Sequence, residues 1–319
     1  MSQPASLLWA VTPAVALVVA ALTAPLAIGL ARRAGALAHP GGRHVHEEAT
    51  PLWGGLAIYA GVICALAVAY VGWGGALGRE ISIRQLLGIL LGATLIAGVG
   101  AVDDRFDLRP SRKLLGQILC AALLLPFGLR IEGLFGIPLP GWLGSVLAVL
   151  WIVAVVNTIN FIDGLDGLAA GVSLIASTTF ALMAISQGKP AVAVLALATA
   201  GGAAGFLPYN FNPARVFMGD LGSHLLGYLL SVTAMVGVAK IAASVTIFSA
   251  MVVLAVPILD TAFAVVRRLR RGQPISVGDK EHLHHRLLDA GLSQRQAVIL
   301  IYGISGAFCA LAMWLMGGR

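Results

Sequence analysis

An all-α, polytopic membrane helical bundle of about ten transmembrane helices, with both termini outside, is the architecture that the sequence predicts. Three observations carry this expectation. The 319-residue chain is 59% hydrophobic and 11% charged, with mean hydropathy +0.92; soluble domains are roughly 45–50% apolar and about 25% charged. Its apolar runs are continuous over the roughly 20 residues that a membrane helix needs, not alternating as in a β-barrel. Fifteen of the 21 Lys and Arg residues fall in the loops of one face. Soluble globular, disordered and disulfide-stapled classes are excluded.

In chain order, the spans are expected at about 6–31, 52–72, 84–102, 114–129, 142–159, 167–186, 190–207, 221–239, 242–263 and 295–316. The first is read as a span and not a cleavable leader, because no positive charge precedes it and Arg32 and Arg33 follow it. Residues 1–319 are read as one integral membrane domain. The loops after spans 1, 3, 7 and 9 hold most of the basic residues, and the positive-inside rule assigns that face to the cytoplasm. The net charge of +7 does not imply nucleic acid, because the bases are scattered without a basic domain or stacking platform. Cys64, Cys120 and Cys309 lie in apolar runs without C-x-x-C spacing, and are read as core residues.

The acids carry the functional signal. All nine aspartates and all seven histidines lie on the cytoplasmic face or just under it. Insertion scales put an aspartate at mid-bilayer at about 2.5–3.5 kcal/mol, so burying nine would cost on the order of 25 kcal/mol. Most must meet water, which points to chemistry at the membrane surface and not conduction through it.

Four segments concentrate these groups. Asp103 and Asp104, with Asp107 one turn later, close the third span. Adjacent carboxylates suit a magnesium–diphosphate cradle; as a bare helix end they would oppose the dipole. Lys113 follows as a phosphate-binding point charge or a membrane-edge anchor. Asn160, Asp163 and Asp166 recur at intervals of three, one side of a turn or helix start; capping explains Asp166 alone. Asn210, Phe217 and Asp220 precede the eighth span, where Asp220 is a helix cap or a metal ligand and Phe217 is packing or a base-stacking face. The last loop carries His282, His284, His285 and Arg286, a set able to contact phosphate or sugar, to bind zinc, or to remain a solvated turn.

At these positions the motifs AVDDRFDLRPSRKLLGQ, NTINFIDGLDGLAAG, NPARVFMGDLGS and HLHHRL, with a weaker TPLWGG at residues 50–55, resemble the polyprenyl-phosphate N-acetylhexosamine-1-phosphate transferases, in their WecA/TagO-like branch related to MraY. The resemblance implies Mg²⁺ (with Mn²⁺ able to substitute) on Asn160 and Asp220, and Asp103 and Asp104 beside the phosphates. It makes Lys113 the phosphate-contacting lysine, with Asp166, Asn210 and Phe217 at uridine-site positions and Asp163, as a substrate-binding residue, in the same loop as Asp166. The resemblance also implies that His282, His284, His285 and Arg286 form the loop contacting the sugar phosphate and the sugar, with His282 among the catalytic residues. Trp53 is bulkier than relatives carry there. The order His-Leu-His-His-Arg favours UDP-GlcNAc over UDP-MurNAc-pentapeptide as donor.

The implied reaction transfers GlcNAc-1-phosphate from UDP-GlcNAc to undecaprenyl phosphate and releases UMP, the first membrane step of a cell-envelope glycan pathway at the inner (plasma) membrane. The expected partners are the two substrates and membrane lipid, with no nucleic acid and a homodimer compatible. Two other classes compete. DDRFD also matches the D-D-x-x-D of intramembrane prenyltransferases, which do not need the later loops. An ion-coupled transporter would place its acids in mid-bilayer.

Overall fold

The computed structural model describes residues 5–38, 49–134, 137–238, 251–270 and 283–317. It is helical almost throughout. The helices are α1 (Ala5–Ala34), α2 (Gly55–Leu77), α3 (Ile83–Phe106), α4 (Pro110–Ala122), α5 (Gly141–Ile162), α6 (Leu168–Ser186), α7 (Pro190–Asn210), α8 (Gly219–Val238), α9 (Ala255–Arg270), α10 (Leu283–Asp289) and α11 (Gln294–Gly317). Two short antiparallel pairs join Leu37–Ala38 to Thr50–Pro51 and Gly133–Leu134 to Ile137–Pro138.

Seven of the described helices are long and apolar enough to cross a membrane: α1, α2, α3, α5, α6, α7 and α11. This makes the chain an all-α, multi-pass membrane protein. The expected span at 114–129 is instead the 13-residue α4 followed by a 3₁₀ turn at Leu125–Phe127. At 1.5 Å per residue α4 alone reaches about 20 Å, and the residues after it carry the chain to the far end, from which α5 returns Asn160 to Lys113. Pro126 and the left-handed Gly128 (φ 80°) end the apolar run as helix where hydropathy alone would extend it. Part of the expected span at 242–263 lies outside the described residues; the described part runs into α9.

α8 is the hub. Residues Leu221–Met235 are buried without a break, and both α3 and α5 pack along it. A helix hydrophobic on every side is one that other helices enclose. Around it, α1 packs on α2 and α7, α6 packs on α7 and α11, and α9 packs on α5. The inward stripe of α1 is alanine: Ala16, Ala20, Ala24, Ala27 and Ala31 are all buried. Lipid tails are as apolar as leucine, so small residues that let backbones approach give the packing advantage. The leucines of α1 (Leu22, Leu26 and Leu30) face outward.

Local signals set the ends that matter for the site. Ser82 starts α3 with a capping box: its hydroxyl accepts from the Gln85 N–H, and Gln85 Oε1 accepts from the Ser82 N–H. α3 stops at Asp107, in the left-handed conformation (φ 48°), and Pro110 in the first turn restarts the chain as α4. This tight α3–α4 corner brings Asp103 and Lys113 to one end of the bundle, where α8 begins.

Candidate active site

Four helices deliver one cluster of charged and amide side chains to this end of the bundle. Lys113 of α4 is at its centre. Its Nζ lies 3.0 Å from Asp103 Oδ2, pairs closely with Asp220 Oδ2, and donates to Asn160 Oδ1 at 3.5 Å. Asn160 in turn donates through Nδ2 to Asp220 Oδ1 and to Ser223 Oγ, the latter at 2.9 Å. Asp103 Oδ1 accepts the Leu108 N–H at 2.8 Å, which fixes the α3–α4 corner. The cluster is not sealed: the side chains of Lys113, Asp103 and Asp220 retain 19%, 10% and 21% exposure.

Burial by itself would lower the Lys113 pKa, but the Asp220 and Asp103 carboxylates outweigh it and hold the ammonium above its ordinary value. Asp163, just past α5, shares the same basin. Its carboxyl has no hydrogen-bond partner among the described residues. Burial raises its pKa well above the carboxylate range, reinforced by the charges of Asp220, Asp104 and Asp166.

Asp104 points elsewhere. Its Oδ1 accepts the N–H of Asp220 at 2.7 Å, and its Oδ2 accepts the N–H of Leu221 at 3.2 Å. It therefore caps α8 from α3. The expected cap, Asp220 itself, leaves that role and turns its carboxylate toward Lys113. Gly219 makes room for this, because a Cβ there would lie 2.4 Å from Asp104 Oδ2, and its φ of 69° is left-handed.

The stretch at 50–55 straps the two acid-bearing helix ends together. The Phe217 N–H donates to Pro51 O, the Gly54 N–H to Phe217 O, and the Gly55 N–H to Met218 O, at 2.9–3.1 Å. Trp53 Nε1 donates to Ala101 O at 3.2 Å, two residues before Asp103. A Cβ on Gly55 would stand 2.3 Å from Gly222 Cα, so the start of α2 meets α8 backbone to backbone.

A second cluster lies beside the first. Asp166 is 4% exposed, and its Oδ2 accepts from Asn212 Nδ2 and the Ala214 N–H, both at 3.0 Å. Asn210 is 2% exposed; its Oδ1 accepts from the Gly167 N–H and its Nδ2 donates to Val216 O. These two residues shape the loop between α7 and α8, which contains a cis Asn212–Pro213 bond. α11 braces this loop and the start of α6: Asn212 donates to Gln294 Oε1 and Arg295 to Asn212 O, while Tyr302 donates to Gly167 O.

With this geometry in place, comparison with known proteins is informative. The family model described as "Glycosyl transferase family 4" matches residues 86–238, the stretch from α3 through α8. A "Probable undecaprenyl-phosphate N-acetylglucosaminyl 1-phosphate transferase" of Bacillus subtilis (strain 168) is 40% identical over 310 residues, covering 94% of this chain and 83% of that protein. The chain belongs to glycosyl transferase family 4. The resemblance read from its motifs is thereby borne out. Two further relatives of this family 4 protein are informative. A "Decaprenyl-phosphate N-acetylglucosaminephosphotransferase" of Mycobacterium leprae (strain TN) is 36% identical, covering 86% of this chain and 75% of the relative. An "Undecaprenyl-phosphate alpha-N-acetylglucosaminyl 1-phosphate transferase" of Salmonella typhi is 27% identical with the same coverages.

The donor set of this family 4 site suits a hard divalent cation. Asp220, Asp103 and Asn160 Oδ1 offer oxygens, and they already surround one positive group, the Lys113 ammonium. No trio of His, Cys, Asp or Glu among the described residues is close enough to enclose a metal by itself. A partial shell completed by water and substrate phosphate is the habit of Mg²⁺.

Of the sequence-predicted residues, the structure brings together Asp103, Lys113, Asn160, Asp163 and Asp220, with Asp104 reaching across as a cap. Asp166 and Asn210 sit in the adjoining loop cluster, and partly buried Phe217 lies on the strap. His282 lies outside the described residues. His284, His285 and Arg286 are on α10, whose first residue donates its N–H to Asp260 Oδ1 at 2.8 Å. Leu283 and Asp260 share a cleft with Ile162 and Leu168, so α10 starts beside the α5–α6 junction that carries Asp163 and Asp166. Sequence reasoning assigned no site role to Trp53, Gln117, Asn157 or His224. The last three carry a legible signal: each lies three or four residues from a site residue on the same helix.

Proposed function

We propose that this protein transfers GlcNAc-1-phosphate from UDP-GlcNAc to undecaprenyl phosphate, giving undecaprenyl-diphospho-GlcNAc and UMP, as the first membrane step of a cell-envelope glycan pathway. The names of its relatives support the general reaction. The observation that carries the reading to particular residues is the Lys113 ammonium between Asp103 and Asp220, with Asn160 closing the set. Such a cluster compensates charge for a diphosphate at a membrane edge. The excess of Lys and Arg in the loops of this face supports a cytoplasmic orientation for this end of the bundle, in the inner (plasma) membrane.

The attacking group is an oxygen of the lipid phosphate. It forms a bond to the β-phosphorus of UDP-GlcNAc as the bond from that phosphorus to the bridging oxygen breaks, and UMP leaves with the electron pair. One phosphoanhydride replaces another, so the equilibrium lies near unity. Phosphoryl transfer of this kind depends on placement and charge stabilisation more than on covalent chemistry. Phosphate monoesters have a second pKa near 6, so the acceptor is largely dianionic at neutral pH and needs no strong base. Asp103 orients the acceptor beside Lys113, and Lys113 screens repulsion between the two phosphate groups. Asn160 and Asp220 would hold Mg²⁺, which when bound would supply charge neutralisation to the diphosphate. Asp166 and Asn210 hold the loop carrying Phe217 as the uridine wall, while His282, His284, His285 and Arg286 contact the sugar phosphate.

Purified protein given UDP-GlcNAc, undecaprenyl phosphate and Mg²⁺ should release UMP. Chelation with EDTA should abolish release, and Mg²⁺ or Mn²⁺ should restore it. Release from UDP-MurNAc-pentapeptide in preference to UDP-GlcNAc overturns the donor assignment. Exchange of labelled UMP into UDP-GlcNAc without lipid overturns direct attack in favour of a covalent enzyme intermediate.

A further inference from the structure

The charged cluster stands on a second polar layer, one helical turn deeper in the bundle. Gln117 follows Lys113 by four residues on α4, Asn157 precedes Asn160 by three on α5, and His224 follows Asp220 by four on α8. These spacings put each residue on the same helical face as its partner above it. The layer is joined across the three helices. Asn157 Nδ2 donates to Gln117 Oε1 at 2.6 Å, and Gln117 Nε2 donates back to Asn157 Oδ1 at 3.4 Å. Gln117 Nε2 also lies 3.2 Å from His224 Nε2. Gln117 is 1% exposed and His224 0%, and His224 Nδ1 has no hydrogen-bond partner among the described residues.

Buried polar groups at membrane depth are retained at a cost that apolar residues of similar size would avoid. The shape of α4 explains what this layer supplies. Only Gln117, Cys120 and Ala121 of its 13 residues are buried, while Leu114, Leu115, Ile118 and Leu119 are exposed on its outer face. Burial of two small side chains is non-directional and leaves the rotation of so short a helix loosely determined. Hydrogen bonds are directional, and those of Gln117 are the side-chain bonds that tie the buried face of α4 to α5 and α8 at this depth. α4 also carries Lys113, whose ammonium rides on a flexible four-carbon stem.

We propose that Gln117, Asn157 and His224 form a positioning layer that sets the rotation of α4 against α5 and α8, so that the Lys113 ammonium meets Asp103, Asp220 and Asn160. None of the three touches substrate; they act through Lys113. The consequence for turnover rests on the transferase reading, whereas the geometric claim does not.

The test uses the full chain in detergent, as His224→Leu, Gln117→Leu, the double variant and His224→Gln. Two quantities are read: the rate at which a small amine-reactive ester labels Lys113 relative to Lys189, followed by peptide mass spectrometry, and kcat and KM for UMP release. Each Leu variant should raise relative labelling of Lys113 several-fold and lower kcat about tenfold or more, with KM for UDP-GlcNAc within about threefold. The double variant should be no worse than about the poorer single, because the two side chains act as one unit. His224→Gln, which keeps a polar nitrogen or oxygen near the Nε2 position, should restore both quantities. Unchanged labelling in both Leu variants, or fully additive losses, overturns the proposal. Should the Leu variants fail to fold, Gln117→Asn, which withdraws the amide by one methylene, is read in the same way. If the unmodified protein releases no UMP from UDP-GlcNAc, the donor assignment fails while the labelling comparison still decides the layer.

Discussion

Asp104 of α3 caps α8 at Asp220: one carboxylate accepts the backbone N–H groups of Asp220 and Leu221, at 2.7 and 3.2 Å. A helix N-terminus leaves its first N–H groups without intrahelical partners, and here a different helix satisfies two of them. The Asp220 side chain is thereby released to face Lys113. The same bonds set the separation between the acidic end of α3 and the start of the hub helix.

Asp104→Ala should lower stability by about 1–2 kcal/mol, the usual range for a lost cap, and reduce turnover as Asp220 shifts. Asp104→Asn keeps one acceptor oxygen and should lose less. Gly219→Ala should reproduce the Asp104→Ala lesion, because its Cβ would occupy the carboxylate position. Denaturant unfolding in detergent checks all three; wild-type stability in Asp104→Ala would show that the 50–55 strap alone holds the end of α8.

Lys113→Met removes the ammonium between Asp103 and Asp220 and leaves two carboxylates facing each other. Loss of a preorganised charge of this type costs on the order of 10²–10³-fold in kcat, which steady-state UMP release measures. Lys113→Arg keeps the charge but replaces a point ammonium with a planar fork, and should recover only part of the rate. A Lys113→Met variant of undiminished kcat would remove Lys113 from the machinery.

Asp166 and Asn212 predict a different signature. Asp166→Ala frees the Ala214 N–H and the Asn212 amide, loosening the loop that carries Phe217. KM for UDP-GlcNAc should rise on the order of tenfold while kcat changes less, the pattern expected when ground-state binding is lost. Initial-rate measurements across donor concentration test this. A pure kcat effect would place Asp166 with the reacting phosphates instead.

The motif residues were legible because their chemistry is dense and local. Asp103, Asp104, Asn160, Asp163 and Asp220 stand at span ends where carboxylates are otherwise costly, and the structure gathers them at one end of the bundle. The division of labour among them was not legible. Asp104 and Asp220 both read as acids at a helix end, and nothing in their own segments says that the first caps the second's helix. Asp166 and Asn210 likewise read as ligand groups, and nothing in their own segments says that they also bond to Gly167, Asn212, Ala214 and Val216 and so hold the loop between α7 and α8. The continuous helix expected over 114–129 stops at Ala122, because hydropathy registers Leu114–Leu125 as apolar without registering that Pro126 and Gly128 break the helix.

Composition and hydropathy were sufficient for the membrane class, the helical architecture and the side on which the acids collect, because these follow from transfer free energies that accumulate along the chain regardless of what each helix touches. How Asp220 meets Lys113, which carboxylate caps α8, and how Gln117, Asn157 and His224 lock together depend on contacts between residues 40 to 116 positions apart. Those pairings came only with the packed bundle, since a hydrogen bond is decided by distances of a few tenths of an ångström between helices, and no local pattern in the chain encodes them.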